Sequence, residues 1–496
     1  MIMDKKPTLQ KQLSPLSVWA LAFGCVIGWG SFINPGKKFL FNSGVAGTAI
    51  AMVLGALVMV IIAFSYAYMV PKYPKAGGEF TFTKACFGKQ AAFVCGWFLI
   101  AAYLTNVPMN STAIGLIVDG IDGNANVLKW GFHYEIANFE VYLGEILLAS
   151  AILILFGVLN ILGVKKAGFV QTVLTVLLVS SVFALFITGL LSPEASLSNT
   201  KPFWGFDLAA TKKYGYQAEH AVKNSGIAGS ILATFAIAPW AFVGFDTIPQ
   251  ASEEFKFSYK KVIFIMVLAI VFGCFVYITN NTIAAAALEK WPDKVAAGEW
   301  VLLLAAKELL GPFGVVLIGI AVSCAVLSGI MGFYLASSRL MYSMSKDGYL
   351  PAVFGKVDEK RGTPKNALIF CIIISLSGPI LGREALGWFV DMSAIGASIG
   401  FMFTCLSTCV TIRRYKDGSK KLFVLAIIGA IFSCSFMVLQ LVPIPGLEMV
   451  RFGKESYIML GIWIALGLIF YLMQSKKIKT VEPETVENAE TAEENA

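Results

Sequence analysis

Gly24-Cys25-Val26-Ile27-Gly28-Trp29-Gly30-Ser31-Phe32 sits at the centre of an apolar run from Leu16 to Phe41. Its three glycines fall so close together that a continuous helix is costly, because glycine loses the most backbone entropy on becoming helical. The spacing predicts an interrupted helix. In hydrocarbon an unwound backbone leaves N–H and C=O groups unpaired, so such a break persists only where protein or a water-filled cavity covers it. A half-helix beginning near Ser31 turns free amides and a positive dipole end toward that cavity, and a half-helix ending near Ile27 offers free carbonyls. That pair of ends suits a zwitterion. Glycines at this spacing also serve close helix packing, and the stretch alone leaves both uses open.

The rest of the chain supplies the membrane setting. Its 496 residues are 57% hydrophobic and 14% charged, with a mean hydropathy of +0.74, which is the composition of a polytopic membrane protein. The first apolar run is longer than a signal-peptide core and no small-residue cleavage pattern follows it, so it reads as a retained span. With roughly 20 apolar residues per crossing, twelve spans are expected, at 16–41, 45–70, 90–118, 140–162, 167–191, 227–250, 262–287, 313–344, 365–381, 387–411, 422–443 and 456–474. Lys and Arg concentrate in alternate connections, among them Lys72, Lys75, Lys165, Lys166, Lys260, Lys261, Lys360, Arg361, Arg413 and Arg414. By the positive-inside rule these segments and both termini are cytoplasmic, in what is expected to be the plasma (inner) membrane. The net charge of +8 is then a matter of topology and calls for no nucleic-acid partner.

None of the nine cysteines falls in an expected outer loop, so no disulfide framework is implied. Cys405 and Cys409 read as small packing residues. The two histidines, His133 and His220, lie in outer loops as solvated residues or, less simply, as pH sensors. After the second span, Pro71-Lys72-Tyr73-Pro74-Lys75-Ala76-Gly77-Gly78-Glu79-Phe80 turns into a short amphipathic stretch to Gly88, expected to be interfacial or re-entrant. The domain organisation is a cytoplasmic segment 1–15, a transport core 16–412, two further helices in 413–474 and an acidic, disordered cytoplasmic tail 475–496.

A second break is written in Gly226 to Glu254, where Pro239, Gly244 and Pro249 interrupt the sixth span. If spans one to five recur as six to ten, each unit has an odd number of crossings and the copies lie inverted. Broken helices at matching positions of such halves point to a midplane substrate site. Identity between the halves is too weak to see, so the repeat rests on break position and span count.

Four motifs in order resemble the amino acid-polyamine-organocation (APC) transporter family. They are G-C-V-I-G-W-G-S-F at 24–32, Y-P-K-A-G-G-E at 73–79, W-A-F-V-G-F-D at 240–246 with A-S-E-E at 251–254, and S-S-R-L at 337–340 followed by K-D-G-Y-L-P at 346–351 and R-G-T-P at 361–364. The resemblance covers roughly residues 14–412. It implies an all-α polytopic fold of about twelve transmembrane helices, a five-plus-five inverted repeat with the first and sixth helices broken, plus two extra helices. It also implies an amino acid or related amine as the small-molecule substrate and no enzymatic step; no cofactor and no metal are expected.

By that resemblance the substrate carboxylate rests on amides near Trp29, Gly30 and Ser31, and its ammonium on carbonyls at Ile27 and from Trp240 through Phe242 to Val243. Trp29 departs from the family pattern, which has a small residue there; its ring either fills part of the pocket or faces a neighbouring helix. Trp240 aligns with an aromatic that covers the substrate and gates it in similar antiporters, although packing also explains a tryptophan here. Asn106 and Met109 align with pocket-lining positions, and Asn is costly in hydrocarbon without partners. Phe333 either lines the outer side or is plain core.

For coupling, Asp246 is the one acid placed beside either break. It matches an acidic residue proposed for proton coupling in relatives, and it equally suits an N-cap of the second half-helix. Leu178 falls near where some proton-coupled members carry a lysine, and no Lys or Arg lies between Ala167 and Leu191. Exchange, proton coupling through Asp246, or coupling to a cation such as sodium through hydroxyls such as Ser328 remain. Glu253 and Glu254 are expected to pair with Lys260 or Lys261. An enzyme would need a His, Cys or carboxylate cluster within the spans, and a channel would need filter carbonyls or rings of charge; the sequence has neither.

Overall fold

A computed structural model of the chain describes residues 9–122, 126–137, 139–205, 226–444 and 451–475. The acidic tail and His220 lie outside the described residues. The first apolar run breaks where its glycines fall. Helix α1 (Pro15–Val26) starts under the Ser14 side chain, which accepts from the Ser17 amide, and stops at Ile27, whose φ of −101° and ψ of 97° are extended. The chain restarts as α2 (Gly30–Asn34), passes through one π-helical turn at Pro35–Phe39, and continues as α3 (Leu40–Lys72).

Helix α4 (Glu79–Asp122) joins the expected amphipathic stretch to the third span, with a bend at Gly88 where φ is +78°. That stretch is not interfacial at its start: Glu79 is fully buried inside the protein. A hairpin of β1 (His133–Ile136) and β2 (Phe139–Tyr142) follows, with His133 stacked on Tyr142. Next come α5 (Leu143–Ile161) and α6 (Val164–Leu191).

The sixth apolar run is broken as its prolines and glycines demand. It consists of α7 (Gly226–Phe235), α8 (Ala238–Phe242) and then short 3-10 turns at Phe245–Thr247 and Pro249–Glu254. Helix α9 (Val262–Ala286) is regular. The expected loop 288–312 instead folds as α10 (Trp291–Ala296) and α11 (Val301–Leu310), which bury Trp291, Val301, Leu302 and Ala306. After these come α12 (Pro312–Lys346), α13 (Lys365–Ser375), α14 (Ser377–Leu381), α15 (Ala385–Tyr415), α16 (Lys420–Leu441) and α17 (Lys454–Gln474).

Among the described residues nine helices are long and apolar enough to cross a membrane, and α1 and the Lys365–Leu381 stretch are shorter apolar helices. Helix α1 lies at the centre, touching α6, α9 and α12, while α4 packs on α12 and α15. Helices α16 and α17 are peripheral, and Ile458, Ile462, Leu468 and Leu472 of α17 face outward as lipid-facing side chains should. At one end of α3, Lys72 and Tyr68 both bond Asp417 in the turn between α15 and α16. Burial works to raise that carboxyl, and the Lys72 ammonium and the Tyr68 hydroxyl outweigh it, leaving Asp417 below the usual carboxylate range.

Candidate substrate site between two broken helices

The two breaks touch. A Cβ on Gly244 would stand 2.5 Å from the Val26 amide nitrogen and 2.6 Å from Cys25 Cβ. The φ of Gly244 is +136°, a region other residues avoid, so glycine is required twice over. This contact sets the ends of α1 and α8 against each other. Among the described residues no acceptor takes the amides of Gly28, Trp29 and Gly30, and no donor reaches the carbonyls of Val26, Ile27, Phe242 and Val243. The site therefore offers donors on one side and acceptors on the other, as the sequence predicts for a zwitterion.

Between the breaks lies a small cavity of about 20 Å³, room for one water and too little for an amino acid. A larger cavity of about 260 Å³ lies between α4 and α17, lined by Phe93, Val94, Trp97 and Leu468. It is almost wholly apolar and borders the lipid-facing helix, so volume alone does not pick the site.

Seven expected residues line the cavity at the breaks: Trp29, Gly30, Asn106, Met109, Trp240, Val243 and Phe333. Trp29 faces into it, its ring centroid 6.3 Å from that of Trp240, and its buried Nε1 has no partner among the described residues. Asn106 donates to Ser393 Oγ at 2.7 Å and to the Ala102 carbonyl at 2.6 Å. Three expected residues stand back from the cavity. Ser31 spends both its amide (3.2 Å) and its hydroxyl (2.9 Å) on the Gly28 carbonyl, so the amides left for an anion are one step earlier. The Ile27 side chain is buried elsewhere, and Phe242 packs its ring on Tyr277 at 6.1 Å; both can contribute carbonyls only.

Five lining residues were not anticipated: Cys25, Val26, Gly28, Asn110 and Tyr277. Asn110 was within reach of sequence reasoning, being four residues after Asn106 on the same face of one helix. Its Nδ2 donates to the Asn106 carbonyl at 2.8 Å, and its buried Oδ1 has no partner among the described residues. Tyr277 comes from α9, a helix with no irregularity to single it out.

The coupling candidates lie beside the cavity rather than in it. Ser328 donates toward the carbonyls of Ala325 (3.0 Å) and Gly24 (3.3 Å). Gln171 and Thr175 of α6 both donate to the Ala20 carbonyl, at 3.0 and 3.1 Å, so these two polar residues, about two turns and one turn before Leu178, join α6 to α1. Asp246 is fully buried. Its Oδ1 accepts from the Gly244 amide at 2.7 Å and its Oδ2 from the Tyr103 hydroxyl at 2.9 Å. It is not the only acid near the breaks, because the Glu79 carboxylate lies 3.2 Å from the same Tyr103 hydroxyl. The sequence hid this, since Glu79 is far from Asp246 along the chain and sits in a stretch that reads as surface.

Glu254 also has an unexpected partner. It pairs with Arg339 of α12 at 3.0 Å, both side chains fully buried, instead of with Lys260 or Lys261. Glu253 accepts from the Ala76 amide at 3.0 Å. The amides of Gln12 and Leu13 both donate to the Glu254 carbonyl at 2.9 Å, and the Lys256 amide donates to Leu13 at 3.0 Å. The segments before α1 and after the sixth run are thereby stitched together and closed against α12.

Similarity to known proteins agrees with this geometry. The model of the family described as "Amino acid permease" matches residues 13–473. The chain is 25% identical over 492 residues to a methylthioribose transporter of Bacillus subtilis, covering 96% of this chain and 95% of that one. It is also 25% identical over 496 residues to the branched-chain amino acid permease BcaP of the same organism, covering 95% and 94%. With the human large neutral amino acids transporter small subunit 2 it shares 27% over 371 residues, 74% of this chain and 64% of the relative. A match running through both breaks and all the long helices leaves one assignment: the chain belongs to the amino acid permease family of the APC superfamily.

Proposed function

We propose that the chain is a secondary active transporter that moves amino acids with uncharged, largely apolar side chains across the plasma membrane by alternating access. Its path would comprise twelve crossings, a five-plus-five inverted repeat with two further helices, and cytoplasmic termini. The observation that carries this reading is the pair of unwound ends meeting over a cavity with no charged side chain in its lining among the described residues. Backbone amides and carbonyls answer the two charges common to every amino acid, and Val26, Met109, Trp240, Val243 and Phe333 are left to meet the side chain. A polyamine carries further ammonium groups that would need a carboxylate facing the cavity, and none lines it. The names of relatives that carry branched-chain and large neutral amino acids point the same way.

The test is uptake of labelled leucine into vesicles containing the purified protein, with the other amino acids, putrescine and methylthioribose as competitors. Saturable uptake that unlabelled leucine or valine suppresses, together with counterflow, supports the reading. Suppression by putrescine or methylthioribose alone moves the substrate class, and non-saturable flux without counterflow replaces the transporter by a channel.

A further inference from the structure

Glu79 begins α4 fully buried, and three groups converge on its carboxylate. The Tyr66 hydroxyl donates to Oε1 at 2.7 Å, Gln250 Nε2 donates to Oε2 at 2.6 Å, and the Tyr103 hydroxyl lies 3.2 Å from Oε1. That same hydroxyl lies 2.9 Å from Asp246 Oδ2. A phenol has one hydrogen and can give it to one carboxylate only. With both acids ionised, the other contact sets lone pair against lone pair, and two negative charges share a fully buried pocket. Of the groups that face them, Tyr66 from α3, Cys95 and Tyr103 from α4, Cys25 from α1, Thr247 beside Asp246, Gln250, and Thr404 of α15 against Tyr66, none is a cation. The hydrogen bonds from Tyr66, Gln250 and the Gly244 amide favour ionised carboxylates but supply no positive charge to offset two of them. None of the ion pairs among the described residues involves Glu79 or Asp246. A further sign of a missing hydrogen donor is Gln250, fully buried, whose Oε1 has no partner among the described residues although its Nε2 lies on Glu79.

We infer that Glu79, Tyr103 and Asp246 form one proton-binding site, in which a single proton is shared by the two carboxyl groups across the Tyr103 hydroxyl. In one arrangement Asp246 carries the proton and donates to Tyr103, which donates to Glu79. In the other Glu79 carries it and donates to Tyr103, which donates to Asp246. Passage between them moves two hydrogens, one from each donor to its acceptor, and the site keeps one net negative charge throughout. The Tyr103 ring also stacks near Phe333, 6.4 Å between centroids, so the site abuts the cavity wall. Asp246 belongs to the unwound stretch and Glu79 to α4, so the shared proton ties the one to the other. Its consequence for transport rests on the function proposed above: when the unwound stretch moves, the acids separate and the proton stays with one of them, which makes that movement pH-dependent.

Infrared difference spectroscopy tests the site on the purified protein in phosphatidylethanolamine and phosphatidylglycerol vesicles, with no substrate present. The readout is the carbonyl stretch of a protonated buried carboxyl followed over pH; Asp391→Asn subtracts the half-buried acid that accepts from Ser456, and Glu254, the other fully buried acid described above, is paired with Arg339. Removing one acid removes the like charge that holds the proton, so Glu79→Gln and Asp246→Asn should each move the loss of the band down by about one pH unit or more. Tyr103→Phe keeps both acids and deletes the donor that stabilises the ionised form, so it should move the loss up. Opposite signs are the signature. A midpoint unchanged in both carboxyl variants, or Tyr103→Phe shifting with them, overturns the inference. Asp246→Asn decides alone if Glu79→Gln does not fold. Because the band is read without substrate, its absence leaves the transport function standing, and a failure of leucine uptake leaves the proton site standing.

Discussion

A Cβ on Gly30 would stand 2.4 Å from Cη2 of Trp240 and 3.0 Å from Asn34 Nδ2, so the indole rests directly on the backbone of the first break. Trp240 is only 9% exposed and the cavity beneath it measures about 20 Å³, so in the proposed transport cycle this ring must move aside to admit a substrate. Gly30→Ala should therefore already push the indole off its seat and raise the half-saturation constant for uptake about tenfold or more, and Gly30→Leu should abolish uptake with expression near normal. Normal kinetics in Gly30→Leu would place the carboxylate elsewhere. Trp240→Ala should mainly raise the half-saturation constant, because it loses the surface proposed to cover the substrate, whereas Trp240→Phe should keep most activity; the ratio of maximal rate to half-saturation in the two variants checks this. Both residues were legible in the sequence, one as a glycine in an apolar run and the other as a tryptophan beside a proline. The seating of one on the other was not, because no local pattern encodes which side chain crosses from a distant segment.

The breaks themselves were readable because glycine and proline act locally, through backbone entropy and a missing amide hydrogen. Their contact at Gly244 was not, since it depends on how α1 and α8 cross. The same limit explains Glu254, for which nearby Lys260 and Lys261 were the natural partners by sequence distance, while the fold supplies Arg339 at 3.0 Å from α12. A buried charge left without its partner is costly, so Arg339→Met should destabilise the protein by about 3–5 kcal/mol. Removing both charges together in Arg339→Met with Glu254→Leu should recover most of that loss. Thermal unfolding of the two variants in detergent, followed by size-exclusion chromatography, measures the difference. If the double variant is no more stable than Arg339→Met, the pair is held by more than its charges.

At the scale of the whole molecule, closure is present on both sides of the cavity. On the side of the N-terminal segment, the inner side in the proposed topology, the Gln12 and Leu13 amides bond the Glu254 carbonyl, and the Lys256 amide bonds the Leu13 carbonyl. On the opposite side Trp300, just before α11, donates Nε1 to the Phe32 carbonyl at 2.8 Å and lies over Gly120, where a Cβ would stand 2.4 Å from its ring. Sequence patterning missed this second closure because 288–312 reads as a polar-flanked loop, while its apolar residues acquire meaning only against α9 and α12. Cys25 lines the cavity between the two closures and is 5% exposed, so it reports on both. In a variant keeping Cys25 as its sole cysteine, a membrane-impermeant maleimide should react slowly from either side. Trp300→Ala should speed the reaction from outside only, and Leu13→Pro, which deletes one amide donor of the inner stitch, should speed it from inside only. Saturating leucine should speed both, because turnover opens each closure in alternation. Fast labelling from both sides at once in either single variant would mean a continuous pore and would end the alternating-access reading.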